Sequence, residues 1–445
     1  MPSEGEAVAA LRIRALLAAA VLAVAGCAVQ WGTPEDTSTA PAPGGGSGRD
    51  VVTPALRDVE RFWTATYPQL ADGRAFTPVK GGYHAYTQRK LPPPCGNESV
   101  EYQPNAFYCP VGDFIAWDAQ TLIPQLQAQY GDVLVGVVMA HEYGHAIQTR
   151  LRITDQPTVV LEQQADCFAG AWLADVLAGR STAFRDVTPA QLDSTVGGLL
   201  VLRDEPGTSA QNPQAHGNAF DRVRALQDGV EEGAKLCAGY RADNVPVTEV
   251  EFQTEADAAS GGDLPYGQAV DALSRDAQEY WSKAYPALTG QPWQPLRVEP
   301  FDGQAPACER PEPAAPGGAF YCPDGDFAAF DNARLAPTLY ERIGDNAVGM
   351  MLGDLFARAA QSRRGAPTQD RAGQLAVDCL AGSWTSSLLA RSPGEGITLS
   401  PGDLDEAVAA LLAFGRAGDA SGTSAFDRIG SYRDGVLKGL EGCAS

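Results

Sequence analysis

Only four histidines occur in 445 residues, and two of them stand four apart in His141-Glu142-Tyr143-Gly144-His145. On an α-helix, residues four apart lie about 40° apart around the axis, so both imidazoles face one point. Two neutral rings there can hold Zn²⁺ at about 2.0–2.1 Å each. Glu142, next to His141, reaches a water on such an ion without ligating it: the metal acidifies the water and the carboxylate takes its proton. A bare HExxH arises by accident in many chains. This one lies in 138–147, a stretch with no charge except Glu142. The bland alternative is a capping or core pair of histidines.

A catalytic zinc needs a third protein ligand and an open fourth position. The extended three-histidine pattern is excluded, because Leu151 stands where the third His would fall and Gln148 where a Gly is required. Downstream, Leu161-Glu162-Gln163-Gln164-Ala165-Asp166 puts two carboxylates four apart on one helical face. Glu162 is the candidate third ligand, and Asp166 the candidate acceptor that orients a ligating histidine ring. The alternative for this pair is a solvated helix face.

The elements that must position these groups are legible in part. Residues 132–151 read as one helix, apolar nearly all round at its start (Leu134-Val135-Gly136-Val137-Val138-Met139-Ala140) and therefore buried. Residues 159–177 read as a second helix, Thr188 begins a third with Pro at its first position, and 220–236 read as a fourth. Ala106–Tyr108 and Phe114–Trp117, around Pro110-Val111-Gly112-Asp113, read as two strands joined by a turn. The expected fold class is α+β, mainly helical, with a small β-sheet.

The chain also repeats itself. Phe62-Trp63 and Tyr67-Pro68 recur as Tyr280-Trp281 and Tyr285-Pro286; Ala106-Phe107-Tyr108-Cys109-Pro110 recurs as Ala319-Phe320-Tyr321-Cys322-Pro323. Gly112-Asp113-Phe114 matches Gly325-Asp326-Phe327, and Asp166-Cys167 with Trp172 matches Asp378-Cys379 with Trp384. Ala219-Phe220-Asp221-Arg222 matches Ala425-Phe426-Asp427-Arg428. So many ordered matches predict a tandem duplication, with one domain at 51–241, a connector at 242–261 and a second copy at 262–445.

The second copy is an internal control. Opposite His141, Glu142 and His145 stand Asp354, Leu355 and Arg358; opposite Glu162 stands Gln374, and near the position of His216 stands Ser421. Every proposed metal or proton-transfer residue is gone, so the fold does not need zinc to stand and the second copy cannot run this reaction. It reads as a degenerate copy that binds substrate, docks or stabilises, with an inert spacer as the alternative.

Nine cysteines are present. Setting Cys27 aside leaves four per copy, and the repeat demands one scheme in both. The expected pairs are Cys95–Cys109, Cys167–Cys237, Cys308–Cys322 and Cys379–Cys443. A free or metal-bound Cys167 is the rival, weakened because Cys379 persists where the metal residues have gone.

At the amino terminus, Arg12 and Arg14 precede a short apolar run, 15–25, ending in Val24-Ala25-Gly26-Cys27. The run is too short to span a bilayer and reads as a secretory signal peptide over 1–26. Cys27 after Ala-Gly resembles the lipobox of bacterial lipoproteins, which implies lipidation of Cys27; an ordinary signal peptide with an incidental Cys is the alternative. Residues 27–50, rich in Gly, Pro, Ser and Thr, read as a flexible linker. The body is thus expected outside the cell membrane, lipid-anchored, in an oxidising space. Apolar content of 44% excludes wholesale disorder. A net charge of 33 − 55 = −22 argues against nucleic acid as a partner.

Taken together, the HEYGH motif, the Glu162-to-Gly170 segment Glu-Gln-Gln-Ala-Asp-Cys-Phe-Ala-Gly and the upstream Phe107-Tyr108-Cys109-Pro110 resemble the neutral zinc metallopeptidases of bacteria, within the gluzincin group. The resemblance spans most of 60–240. It implies a zincin-like fold, one zinc held by His141, His145 and Glu162, and Glu142 as catalytic base. A His-Gly pair before the last helix recurs in that family, and His216-Gly217 occupies it here, which implies a catalytic role near the metal for His216; a surface-loop histidine is the alternative. His84 has no motif around it and reads as structural or exposed. The expected activity is peptide-bond hydrolysis on a peptide or protein substrate, and by analogy with other zincins the strand at Phe114–Trp117 is expected to pair with an extended substrate, favouring endopeptidase action. Two rivals stand beside it: a non-enzymatic envelope scaffold with a vestigial metal site, and a metal hydrolase aimed at peptidoglycan crosslinks.

Overall fold

The computed structural model describes residues 49–96, 100–314, 318–392, 394–416 and 422–443. The expected signal peptide, the lipidation site Cys27, nearly all of the linker and Ser421 lie outside the described residues.

The amino-terminal half runs α1 (Val52–Leu70), β1 (Gly82–Tyr86), β2 (Ala106–Cys109), β3 (Phe114–Asp118), α2 (Leu122–Tyr130), α3 (Asp132–Leu151), α4 (Thr158–Leu177), α5 (Pro189–Val201), α6 (Ala219–Glu232) and α7 (Ala234–Ala238). After α8 (Glu255–Ser260) come α9 (Tyr266–Thr289), β4 (Arg297–Phe301), β5 (Glu312–Pro313), β6 (Ala319–Cys322), β7 (Phe327–Asp331) and α10 (Leu335–Arg342). The chain closes with α11 (Asp345–Arg363), α12 (Arg371–Leu389), α13 (Asp403–Arg416), α14 (Ala425–Lys438) and a 3₁₀ turn, Gly439–Cys443. This is a mainly helical α+β fold, and the second half repeats the element order of the first apart from the added two-residue strand β5 and a closing 3₁₀ turn in the place of α7. One apolar core runs through both halves. No helix among the described residues is long and apolar enough to cross a membrane.

The first sheet has the order β1-β3-β2. β3 pairs in parallel with β1 (Gly82 opposite Phe114) and antiparallel with β2 (Cys109 opposite Phe114). Phe114–Trp117 is therefore the central strand, buried along its length, and both its edges are taken. This corrects the expectation that it pairs with substrate: the sequence showed the β2–β3 hairpin but not β1, whose Gly-Tyr-His-Ala-Tyr lacks alternation and is only half buried. The open edge next to α3 belongs to β2. A second correction concerns 220–236, which breaks into α6 and α7 because Gly233 (φ 76°) ends the first helix in a conformation other residues avoid.

Three glycine contacts set the helix packing at and behind the histidines. A Cβ on Gly144 would lie 2.9 Å from Ala165 Cα, so only glycine lets α4 come this close to α3. Where α4 crosses α6, a Cβ on Gly170 would lie 2.0 Å from the Leu226 carbonyl and one on Gly229 1.9 Å from that of Cys167. Cys167 and Cys237 lie at disulfide distance beside this crossing (2.02 Å), as do Cys95–Cys109 (2.08 Å), Cys308–Cys322 (2.01 Å) and Cys379–Cys443 (1.99 Å).

Candidate metal centre

α3 delivers His141, Glu142 and His145 one turn apart, and the close α3–α4 approach sets Glu162 opposite them. His141 Nε2 lies 3.1 Å from His145 Nε2 and 3.2 Å from Glu162 Oε2, and His145 Nε2 lies 3.4 Å from Glu162 Oε1. Tetrahedral donors about 2.0–2.2 Å from a zinc ion sit about 3.4 Å from one another. His141 and Glu162 are buried and His145 nearly so.

The outer partners fix which atoms face the centre. His141 Nδ1 lies 2.7 Å from Asp166 Oδ1, an acceptor, so it carries the proton and Nε2 presents a lone pair. His145 Nδ1 meets Gln148 Oε1 at 3.0 Å, the Gln148 amide orientation being fixed by its N–H bond to the Leu161 carbonyl. With Nδ1 of each ring engaged in this way, both Nε2 atoms and the Glu162 carboxylate converge on one point, and Glu162 Oε2 is buried without a hydrogen-bond partner. Buried acceptors facing one another are costly unless a cation sits among them. The formal charges agree: Glu142, Glu162, Asp166 and Arg222 are all buried and sum to −3 + 1 = −2. The donor set therefore fits a divalent ion, and its two imidazoles and one carboxylate suit zinc.

Behind this set, Arg222 from α6 clamps Asp166 with two bonds, Nε to Oδ2 at 2.8 Å and Nη2 to Oδ1 at 3.1 Å. Burial opposes ionisation of Asp166, but Arg222 and His141 hold its carboxyl below the usual range. Burial likewise opposes a charge on Glu162, yet His145 and His141 keep its carboxyl well below the usual range. Glu142 behaves oppositely: burial pushes its carboxyl up to about 7, against the pull of His141 and with the help of Glu162. A carboxylate poised near neutrality is suited to taking and returning a proton. Its Oε2 is held by the Tyr108 N–H of β2 at 2.9 Å.

These groups open into a cavity of about 530 Å³, with His141, Glu142, Asn105, Ala106 and His216 on its walls. His216 comes from the loop between α5 and α6. Asp204 holds it: Oδ1 lies 3.1 Å from His216 Nδ1, and Oδ2 accepts the backbone N–H groups of His216 (2.6 Å) and Gly217 (2.8 Å). The structure thus places His141, Glu142, Asp166 and His216 on one cavity, with His145 and Glu162 packed against His141 behind its wall. His84 stays apart, half-buried, its Nε2 2.9 Å from the Gly81 carbonyl and its ring edge-on to Phe114.

Sequence reasoning missed Asp204, Gln148 and Arg222. Asp204 lies twelve residues from its histidine across an irregular loop, where no period applies. Gln148 stands one turn beyond His145, a detectable spacing. Arg222 carried the clearest signal, since it is repeated as Arg428 just as Asp166 is repeated as Asp378.

A donor set of two imidazoles and a carboxylate, with a second carboxylate free beside it, defines the class of water-activating metal hydrolases. Residues 31–240 match the family model described as "Putative neutral zinc metallopeptidase". Three curated proteins, one from Mycobacterium bovis and two from strains of Mycobacterium tuberculosis, each named only as uncharacterized, are 30% identical over an alignment of 174 residues that covers 33% of this chain. The chain spans 58% of the length of these relatives. No solved structure matches it.

Proposed function

We propose that the protein is an extracytoplasmic zinc endopeptidase with a single working site in its amino-terminal half. The observation that carries this reading is the convergence of His141, His145 and Glu162, their donor atoms all within 4.8 Å of one another, with Glu142 beside them. A zinc ion held by these three supplies the Lewis acidity that polarises a scissile carbonyl and acidifies water. Glu142, aimed by the Tyr108 N–H, takes the proton of the attacking water and hands it to the leaving amine. Asp166, backed by Arg222, keeps the His141 ring in register. His216, oriented by Asp204, steadies the negative charge that develops on the carbonyl oxygen.

The open edge of β2 offers Ala106 to the cavity, so an extended chain can lie along it while its side chains enter the pocket. Leu122, Leu126, Val137, Val138, Leu199 and Leu200 line that pocket and favour an apolar side chain next to the cut bond. Passage along an open edge with chain on both sides of the cut is the case for endopeptidase action. The signal-like start, Cys27 and four cysteine pairs at bonding distance support an oxidising, extracytoplasmic location with a lipid anchor. The repeated motifs and element order support descent of the two halves from one duplicated domain. Incubation of the wild type with an unbiased peptide library is expected to yield cleavages that Glu142→Gln abolishes while retaining zinc. Full turnover by Glu142→Gln would remove the proposed base.

A further inference from the structure

The loop between α5 and α6, residues 202–218, carries Asp204 and His216 on its inner side. Its outer side is exposed at 205–207, 209 and 211–214 but covered at its two ends. The carboxy-terminal half and the connector pack against it, and one side chain holds both of its ends. Asp405, buried on α13, accepts the Phe220 N–H at the start of α6 through Oδ1 at 2.9 Å. Its Oδ2 lies 2.9 Å from Nε of Arg203, the residue just before Asp204. The connector adds Glu249, which accepts the Ala210 N–H in mid-loop, and Thr248, which accepts from the Asn218 side chain at the loop's end.

This contact has a mirror. Asp193 of α5 accepts the Phe426 N–H of α14 at 2.9 Å, so each half presents the same aspartate to the start of the other half's equivalent helix. Such reciprocity is what a two-fold interface produces. The two contacts differ in what they support. Behind Phe426 stands a half whose centre holds Arg358 in place of a histidine; behind Phe220 and Arg203 stands the His216 loop.

We infer that the carboxy-terminal half is a working part of the amino-terminal site, with Asp405 as a positioning residue that pins both ends of the 202–218 loop and so sets His216. This rests on the peptidase reading for its kinetic consequence but not for its structural one. Asp405 touches no reacting atom; it acts through Arg203 and Phe220 on the loop that Asp204 and His216 share. Losing a buried carboxylate that accepts the Phe220 N–H and pairs in charge with Arg203 is costly enough to open the loop roughly tenfold or more often.

The test uses the full chain carrying Asp405→Ala, Asp405→Asn or Asp193→Ala. Hydrogen exchange of the His216 and Gly217 amides, both bonded to Asp204, is followed in metal-free protein; zinc content, kcat and KM are measured after loading. Asp405→Ala is expected to speed exchange at those two amides about tenfold and to lower kcat about tenfold, with zinc stoichiometry unchanged and KM moving less than kcat. Asp405→Asn, which keeps an acceptor for Phe220 and loses the charge facing Arg203, should fall between it and wild type. Asp193→Ala loosens the same interface from the other side and should leave exchange and kcat within about twofold. The inference is overturned if Asp405→Ala leaves both readouts within twofold, or if Asp193→Ala moves them as far. A wild type without Glu142-dependent turnover defeats the peptidase reading alone, because the exchange measurement still decides whether Asp405 holds the loop.

Discussion

The two halves solve one electrostatic problem in two ways. In the first, His141, His145 and Glu162 turn acceptors toward a common point, and the buried charges around them sum to −2. In the second, the same places hold Asp354, Arg358 and Gln374. Arg358, fully buried, donates to both Asp354 oxygens, to Gln374 Oε1 and to the Thr368 carbonyl at 2.9 Å. Asp378 is clamped by Arg428 at 2.8 and 2.9 Å, as Asp166 is by Arg222. Asp354, Asp378, Arg358 and Arg428 sum to −2 + 2 = 0. The guanidinium thus stands where the first half asks for an ion, and the surrounding packing is kept: Gly382 and Gly435 repeat the Gly170–Gly229 crossing. The lesson is that this scaffold demands positive charge at the α3–α4 and α11–α12 junctions, whatever its source.

The largest expected effect is loss of the ion itself. Glu162→Ala should weaken zinc binding, measured by competition with a chelator, by more than the roughly 10–100-fold typical of losing an outer partner; undiminished affinity would place the ion elsewhere. Next, Arg358→Ala should destabilise the second half by about 3 kcal/mol in denaturant unfolding, because it leaves the buried Asp354 with only Arg428, 3.5 Å away, to offset its charge. Zinc content should be untouched. A smaller effect is expected for Asp166→Asn, which keeps the ring contact but not the charge and should weaken zinc about 10–100-fold. A change below twofold would show that Arg222 and Asp166 serve packing alone.

The smallest effect contrasts the helix starts. Asp132, at the start of α3, pairs with Arg49, whereas Asp345, at the start of α11, faces Asp263 and Glu406. Burial, reinforced by Asp403, Asp263 and Asp345, pushes Glu406 up to about 10. Burial, opposed by the Leu264 N–H and helped by Asp263, raises Asp345 to about 6. A carboxyl with a raised folded value takes up a proton on folding, so its contribution is present below the unfolded value near 4.5 and is lost as pH rises toward 10. Glu406→Gln should therefore raise the melting temperature by a few degrees at pH 8 and by nothing measurable at pH 4.5. An equal shift at both would mean that Glu406 is charged throughout.

Much of this was legible in the sequence where a period or a repeat carried it. The α3 helix, its motif, the Glu162–Asp166 face and the β2–β3 hairpin followed from spacing, and the cysteine pairs from the repeat. What was not legible depends on chain brought from far away. β1 is half buried and lacks alternation, so the central place of β3 could not be seen. Asp204 meets His216 only through loop conformation. Arg358 looked like the mere loss of a histidine, because sequence shows a replaced ligand but not that the replacement enters the same space with its own charge. Asp405 and Asp193 show nothing in isolation; their reciprocity exists only once the halves are packed.

The central claim is that one ion lies in the first half and a guanidinium in the second. Anomalous scattering at the zinc edge, recorded from crystals of the full chain grown with zinc, tests it most directly. The account predicts one strong peak between His141, His145 and Glu162 and none within reach of Arg358. No peak at the histidine pair, or an equal peak beside Asp354 and Gln374, would contradict it.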